Sequence, residues 1–350
     1  MTYKMTPGES RDNSKTIIAL DAMGGDFAPD QIVMGAAAVA SPELNVSLVG
    51  RPDEIERCLA SADPAAREHL QIVEALEVIG FDEDPVKAVR AKSDSSMVVA
   101  CREVAEGRAD GVVSAGNTGA MMAAALFNLK RIRGLKRPGL CAVLPTFGKP
   151  TLFIDVGANS EVRPVHLLEF ANMASIFAQE VLGISNPSVG LVSIGEESIK
   201  GNELVLEAHG LIAASPNLNF YGNVEGRDIV RNVVDVVVTD GFTGNVCLKL
   251  MESTSALIVE EVRKAANRTL ISKLGGLLLK KQLTEFRNSI DIEEYSSAYL
   301  LGVRGLAVAC HGNSSSRAIA AALRYAERAA EQRLINKLEE RIATMPAGVT

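Results

Sequence analysis

The 350-residue chain predicts an α/β protein: three α/β/α layers built on a mostly parallel sheet. Three observations carry this. Apolar, strand-like runs end repeatedly in glycine-rich turns, helical patterns alternate with those runs, and 47% hydrophobic content rich in alanine, valine and leucine supplies a close-packed core. A chain of this length buries a substantial core in one large unit. Strand–helix alternation at this spacing places helices on both faces and gathers loops at the carboxyl ends of the strands, where ligands bind.

The elements follow in order. TIIALD leads into Ala22–Asp26, GVVSAG into Asn117–Gly119, and TLFIDVGAN closes at Asn159. SVGLVSIGEE, NLNFYGN, VVDVVVTDG and LAVACHGNSSS complete the strand-like set. Helical periodicity marks residues 31–40, 96–106, 121–129, 164–182, 203–213 and 315–338. Gly134–Pro150, rich in glycine, proline and basic residues, is the best candidate for a boundary between lobes. Residues 1–15 read as a flexible polar extension rather than a signal peptide, 16–333 as the α/β domain with a helical excursion near 256–295, and 334–350 as a helix end and tail.

The formal charge of −7 argues against a general nucleic-acid binder, which needs a basic face. Five scattered cysteines form no CxxC pair, which points to reduced thiols in a cytoplasmic protein. No apolar run reaches the ~18–20 residues that span a bilayer. The first strand is not followed by GxGxxG, there is no GxxxxGK[ST], and the four histidines make no metal spacing. No metal and no cofactor is expected.

Candidate chemistry lies in the loops. In VVDVVVTDGFTGNVCLKL, residues 233–250, a buried strand ends at Asp240. Gly241 and Gly244 then allow a tight turn and close approach of a ligand, and Asn245 stands at the expected helix start, where free N–H groups favour an anion. Asn117, Thr118 and Gly119 offer either phosphate-binding amides or an ordinary N-cap, and Asp155 and Asn159 in DVGANSE carry the same two readings. Gly24, Gly25 and Asp26 form a paired-glycine turn without dinucleotide spacing. Lys200, in GEESIKGNELV, is either a solvated loop charge or a compact cation for phosphate or a developing oxyanion. His311 in CHGNSSS is either a pocket residue or part of a capped helix start. Cys247 sits in an apolar period, which favours packing over nucleophilic catalysis.

Taken together and in this order, the strings IALDAMGGDFAP, PVKAVRAKSDSSM, GVVSAGNTGAMMA, FIDVGANSE, SIGEESIKGNELV, FYGNVEGRDI and VVVTDGFTGNVCLKL resemble the bacterial phosphate acyltransferases of phospholipid synthesis. The resemblance runs from about Ile17 to Leu323. It implies a fold akin to isopropylmalate dehydrogenases and phosphotransacetylases, and a homodimer. It also implies transfer of a long-chain acyl group from acyl-carrier protein to inorganic phosphate, without a covalent enzyme intermediate. The family's activity-critical lysine and asparagine fall on Lys200 and Asn245, expected to orient phosphate and the thioester oxygen while the loops at Gly24–Asp26, Asn117–Gly119 and Asp155–Asn159 complete the pocket. The nearest alternative is a phosphotransacetylase acting on an acyl-coenzyme A.

The resemblance further implies peripheral contact with an anionic membrane and with a downstream glycerol-phosphate acyltransferase. An acidic carrier protein calls for a basic dock. LKRIRGLKR (129–137) is one candidate, and residues 259–290, with seven Lys/Arg against three Glu, are the other. Within the latter, Gly275 and Gly276 are expected to break a helix at its tip. There Leu274, Leu277, Leu278 and Leu279 meet either lipid or a partner chain.

Overall fold

The computed structural model describes residues 15–146, 148–289 and 297–344. The expected extension (apart from Lys15), the last part of the helical excursion and the final six residues therefore lie outside the described residues. In the first half, β1 (Thr16–Asp21), α1 (Asp30–Ala37), β2 (Leu44–Gly50), α2 (Pro52–Leu59), α3 (Pro64–Arg67) and β3 (Leu70–Glu74) are followed by α4 (Pro85–Ala91), α5 (Ser96–Ala105), β4 (Gly111–Ser114) and α6 (Thr118–Asn128). Then come β5 (Gly139–Leu144), β6 (Thr151–Ile154), α7 (Pro164–Glu180), β7 (Ser188–Val192), α8 (Glu203–Ala213), β8 (Asn219–Val224), α9 (Gly226–Ile229) and β9 (Val236–Val238). The chain ends with α10 (Gly241–Asn267), α11 (Leu270–Leu278), α12 (Lys280–Ser289), β10 (Ala298–Leu301), β11 (Leu306–Ala309), α13 (Ser316–Glu331) and α14 (Leu334–Ala343).

The eleven strands among the described residues form one sheet in the order β3-β2-β1-β4-β11-β10-β5-β6-β9-β7-β8. Alternation of side chains across the sheet divides the core into two layers. Ile18, Leu20, Val113, Tyr299, Cys141 and Ile154 face one cluster with α1, α7, α13 and α14. Ala19, Val112, Ala307, Leu300, Ala142 and Phe153 face the other with α5 and α6.

The sheet is two parallel blocks running in opposite directions. β3, β2, β1, β4 and β11 run one way; β6, β9, β7 and β8 run the other, with β10 and β5 antiparallel between them. The register staggers the blocks. One transverse row runs Ser114–Ala309–Ala298–Ala142–Phe153–Val237. β4 and β11 end on this row, while β6 and β9, arriving from the opposite side, end one residue beyond it. Both sets of carboxyl ends therefore converge at mid-sheet instead of lining one common edge.

Three expectations change here. The proposed lobe boundary, Gly134–Pro150, contains β5, whose six residues are all buried at the centre of the sheet. The expected helix over 315–338 is two helices, separated at Arg333, which has φ 50°; Leu334, Leu338 and Ile342 of α14 are buried in the core. Gly275 and Gly276 lie inside α11, and the chain turns instead at Thr269, whose side chain caps α11 by accepting the Ser272 N–H at 3.0 Å.

Candidate active site

The row of small side chains Ala309, Ala298 and Ala142 leaves a hollow on one face of the sheet, and α10 crosses it. The resulting pocket, about 160 Å³, is floored by these alanines and Leu140 and walled by Val156, Gly157, Thr118 and Leu248. Its polar groups are Asn245, Lys249 and Glu252 of α10, His311 from the loop after β11, Thr118 and Ser297. Asn245, Leu248, Lys249 and Glu252 stand at i, i+3, i+4 and i+7, one face of a helix.

Three of these groups close a circuit. Lys249 Nζ donates to Glu252 Oε2 at 2.9 Å and lies 3.2 Å from His311 Nδ1. Lysine can only donate, so Nδ1 is the acceptor and the ring proton sits on Nε2. His311 Nε2 is 2.9 Å from Glu252 Oε1, a contact with the length but not the alignment of a hydrogen bond, which leaves Oε1 a buried acceptor without a partner. Burial opposes the charged form of Glu252, but His311 and Lys249 together outweigh it and hold its pKa below the ordinary carboxylate range.

Asn245 rests its Nδ2 on the Val156 carbonyl at 3.2 Å, beside Gly157. α10 begins at Gly241, four residues before the expected start, and Asp240 caps it, accepting from Thr243 N at 2.9 Å and Thr243 Oγ1 at 2.7 Å. A carboxylate therefore already occupies the positive end of this helix, and Asn245 contributes a side chain rather than a free backbone amide.

Gly241 and Gly244 do permit a close approach, but the visitor is the chain itself. A Cβ on Gly244 would overlap the Asp155 carbonyl, and one on Gly241 would sit 2.7 Å from the Asn159 oxygen. Asp155 is fully buried and saturated. It accepts from Leu140 N (3.1 Å), Gly157 N (3.1 Å), Ala158 N (2.8 Å), Asn159 N (2.8 Å) and Asn159 Nδ2 (2.8 Å). Burial still pushes its pKa up, against the pull of those donors. Asn159 also donates to the Pro138 carbonyl at 2.7 Å and accepts from Gly241 N at 2.8 Å. These four residues build the wall without facing the pocket.

The other expected residues separate similarly. Thr118 lines the pocket; Asn117 caps α6 through Ala120 N at 3.1 Å and donates to the Phe81 carbonyl, and Gly119 packs on Pro85. Gly24 lies against Asp21 and Gly116, Gly25 approaches Gly312, and Asp26 N donates to the Gly312 carbonyl at 2.7 Å. This turn buttresses the His311 loop from behind. Ser315, not His311, caps α13. Lys200 does not line the pocket: it is exposed in the loop after β7, two strands from β6. Cys247 is half-buried, and burial and Asp240 raise its pKa; Cys310, at the pocket wall, is pushed up to about 12 by burial.

Lys249 and Glu252 were not expected from the sequence. The signal that finds them is their helical spacing from Asn245, once α10 is known to begin at Gly241.

The staggered double-block sheet between helical layers is an α/β/α fold that several solved structures share. Phosphotransacetylases from Streptococcus pyogenes (TM-score 0.60, 17% identity, covering 93% of this chain and 95% of that one) and Staphylococcus aureus (0.59, 16%, 90% and 94%) share the fold. A 4-hydroxythreonine-4-phosphate dehydrogenase from Klebsiella pneumoniae does so at TM-score 0.53 and 13% identity, over 91% of this chain and 100% of that one. Residues 16–337 match the model of the family described as fatty acid synthesis protein. Proteins named phosphate acyltransferase from Heliobacterium modesticaldum and Desulfitobacterium hafniense are 49% and 46% identical, over 93% and 94% of this chain and 97% and 98% of theirs. The chain belongs to this family and is an acyltransferase.

Proposed function

We propose that the chain transfers a long-chain acyl group from acyl-carrier protein to inorganic phosphate, giving acyl phosphate by direct attack on the thioester. The observation that carries this reading is the pocket itself: an amide, an ammonium, an imidazole and a hydroxyl converge over an apolar floor, next to thiols whose pKa is raised. Phosphate is already a nucleophile at neutral pH, and a thiolate of pKa ~8.5 is a competent leaving group. The protein's task is to hold the anion against the carbonyl and stabilise the oxyanion. A thiol pushed to about 12, as at Cys310, is not ionised at neutral pH, which supports direct transfer over a thioester on the enzyme.

In this reading Asn245, Thr118 and His311 contact phosphate or the thioester oxygen. Lys200 approaches from the neighbouring loop to complete the set. In this reading the pocket takes phosphate and the thioester head but not a long acyl chain. The chain extends outside it.

Leu274, Leu277, Leu278 and Leu279 are 52–76% exposed within the helical excursion, which supports peripheral contact with an anionic membrane. Phe242, Val246, Leu250 and Leu257, exposed along α10, supply an apolar face for a second copy. Among the described residues no helix is long and apolar enough to cross a membrane.

Incubation with palmitoyl-carrier protein and phosphate, followed by hydroxylamine trapping, is expected to yield acyl phosphate; acetyl-coenzyme A is expected to be a poor substitute. Lys200→Ala is expected to lower turnover at least ~100-fold with an unchanged melting curve. Full turnover in that variant removes Lys200 from the site, and a preference for acetyl-coenzyme A replaces the carrier-protein reading.

A further inference from the structure

The proposed reaction leaves one proton to be moved. Hydrogen phosphate attacks the thioester carbon through oxygen, the C–O bond forms, and the C–S bond breaks with its electron pair on sulfur. The proton of hydrogen phosphate leaves oxygen, and the product thiol needs one on sulfur. We propose that His311 carries this proton, with Glu252 as the positioning residue for its ring. The inference rests on the acyl-to-phosphate reading above.

The geometry supplies each part. The ring tautomer is fixed, because the Lys249 ammonium, 3.2 Å from Nδ1, has no lone pair to offer. Nε2 lies 2.9 Å from Glu252 Oε1, a buried oxygen that has no hydrogen-bond partner among the described residues, while Lys249 holds the other carboxylate oxygen. The arrangement is the one that orients and supports an imidazolium in acyl-transfer sites: a carboxylate beside one ring nitrogen, with the other nitrogen turned towards the reacting atoms.

Here the open nitrogen is Nδ1, and Lys249 covers it in the resting protein. Lys249 is half-exposed on a flexible stem, and its positive charge follows an entering phosphate dianion. Its departure leaves Nδ1 facing the pocket as an acceptor. Nδ1 takes the proton from phosphate as the C–O bond forms, Glu252 stabilises the resulting imidazolium, and Nδ1–H is then delivered to the departing sulfur. Atoms and charge balance: hydrogen phosphate and thioester become acyl phosphate dianion and thiol. The apolar floor of Ala142, Ala298, Ala309 and Leu140 strengthens the charge interactions involved.

A relay and a mere staple between α10 and the His311 loop differ in how they respond to the leaving group. The test compares wild type, His311→Ala and Glu252→Gln with palmitoyl-carrier protein, whose alkyl thiolate needs a proton, and with a palmitoyl aryl thioester, whose acidic thiolate leaves without one. His311→Ala is expected to lose about 10²–10⁴-fold in kcat with the carrier-protein thioester and only a few-fold with the aryl thioester. Glu252→Gln is expected to lose about 10–100-fold with the same leaving-group dependence, and serves if His311→Ala fails to fold. Equal losses on both thioesters, or full activity in both variants, overturn the relay alone. Failure of the wild type to form acyl phosphate from either thioester overturns the acyl-to-phosphate reading and the relay with it.

Discussion

Two neighbouring regions of the molecule contain the same kinds of residue and use them in opposite ways. In the loop from Asp155 to Asn159, one carboxylate takes five N–H donors and the facing glycines accept the chain's own carbonyls. A few residues along α10, Asn245 makes one long contact, and Glu252 keeps an oxygen without a partner. The first region spends its polar groups on shape. The second keeps capacity in reserve, and a reacting molecule can use only unspent capacity.

The sharpest way to break this comparison is to disturb the saturated side. Asp155→Ala orphans five donors in a buried site and is expected to cost about 3–5 kcal/mol of stability, read as a fall in the urea midpoint. If the midpoint is unmoved, the loop is not held by this carboxylate. Asn245→Ala tests the other side: activity is expected to fall about 10²–10³-fold while stability changes by less than ~0.5 kcal/mol. A variant that melts early instead would put Asn245 with the structural group.

The smallest effect is on pH dependence. The pKa of Glu252 is lower in the folded protein than in the unfolded chain, so its ion pair stabilises the fold above the ordinary carboxylate pKa of about 4.3. That contribution is lost as pH falls through the lower, folded value. Glu252→Gln should therefore be slightly less stable than wild type at pH 7 and indistinguishable from it in strong acid. Denaturation at both pH values checks the sign, and a gap that widens in acid contradicts it.

Much of the fold was legible in local pattern. TIIALD and ELVLEAHGLIA match β1 and α8 end to end, because period and caps are local properties. β5 and β10, the strands that reverse the sheet, were missed. GLCAVL and AYLL are short apolar runs between turn-forming segments, and although each pairs antiparallel with the next strand, its place at the centre of the sheet depends on a partner more than 100 residues away. The site was legible in parts for the same reason. Asn245 and His311 fall in conspicuous glycine-rich stretches of sequence, whereas Lys249 and Glu252 look like ordinary helix-surface charges until α10 is laid across Ala142, Ala298 and Ala309. Gly241 and Gly244 stand out in the sequence, which shows that something must come close but not what; in the structure the close neighbours are the Asn159 and Asp155 backbones.

The register of the central antiparallel pair also limits how this scaffold can evolve. Sliding β5 past β10 by one residue would turn Leu140 and Ala142 to the opposite face of the sheet, so the smallest slip that keeps the floor is two residues, about 6.8 Å. The spacing between the opposed loop sets is therefore quantised. Adaptation to larger or smaller acyl donors has to come from side chains and loop lengths, because the sheet itself offers no intermediate widths.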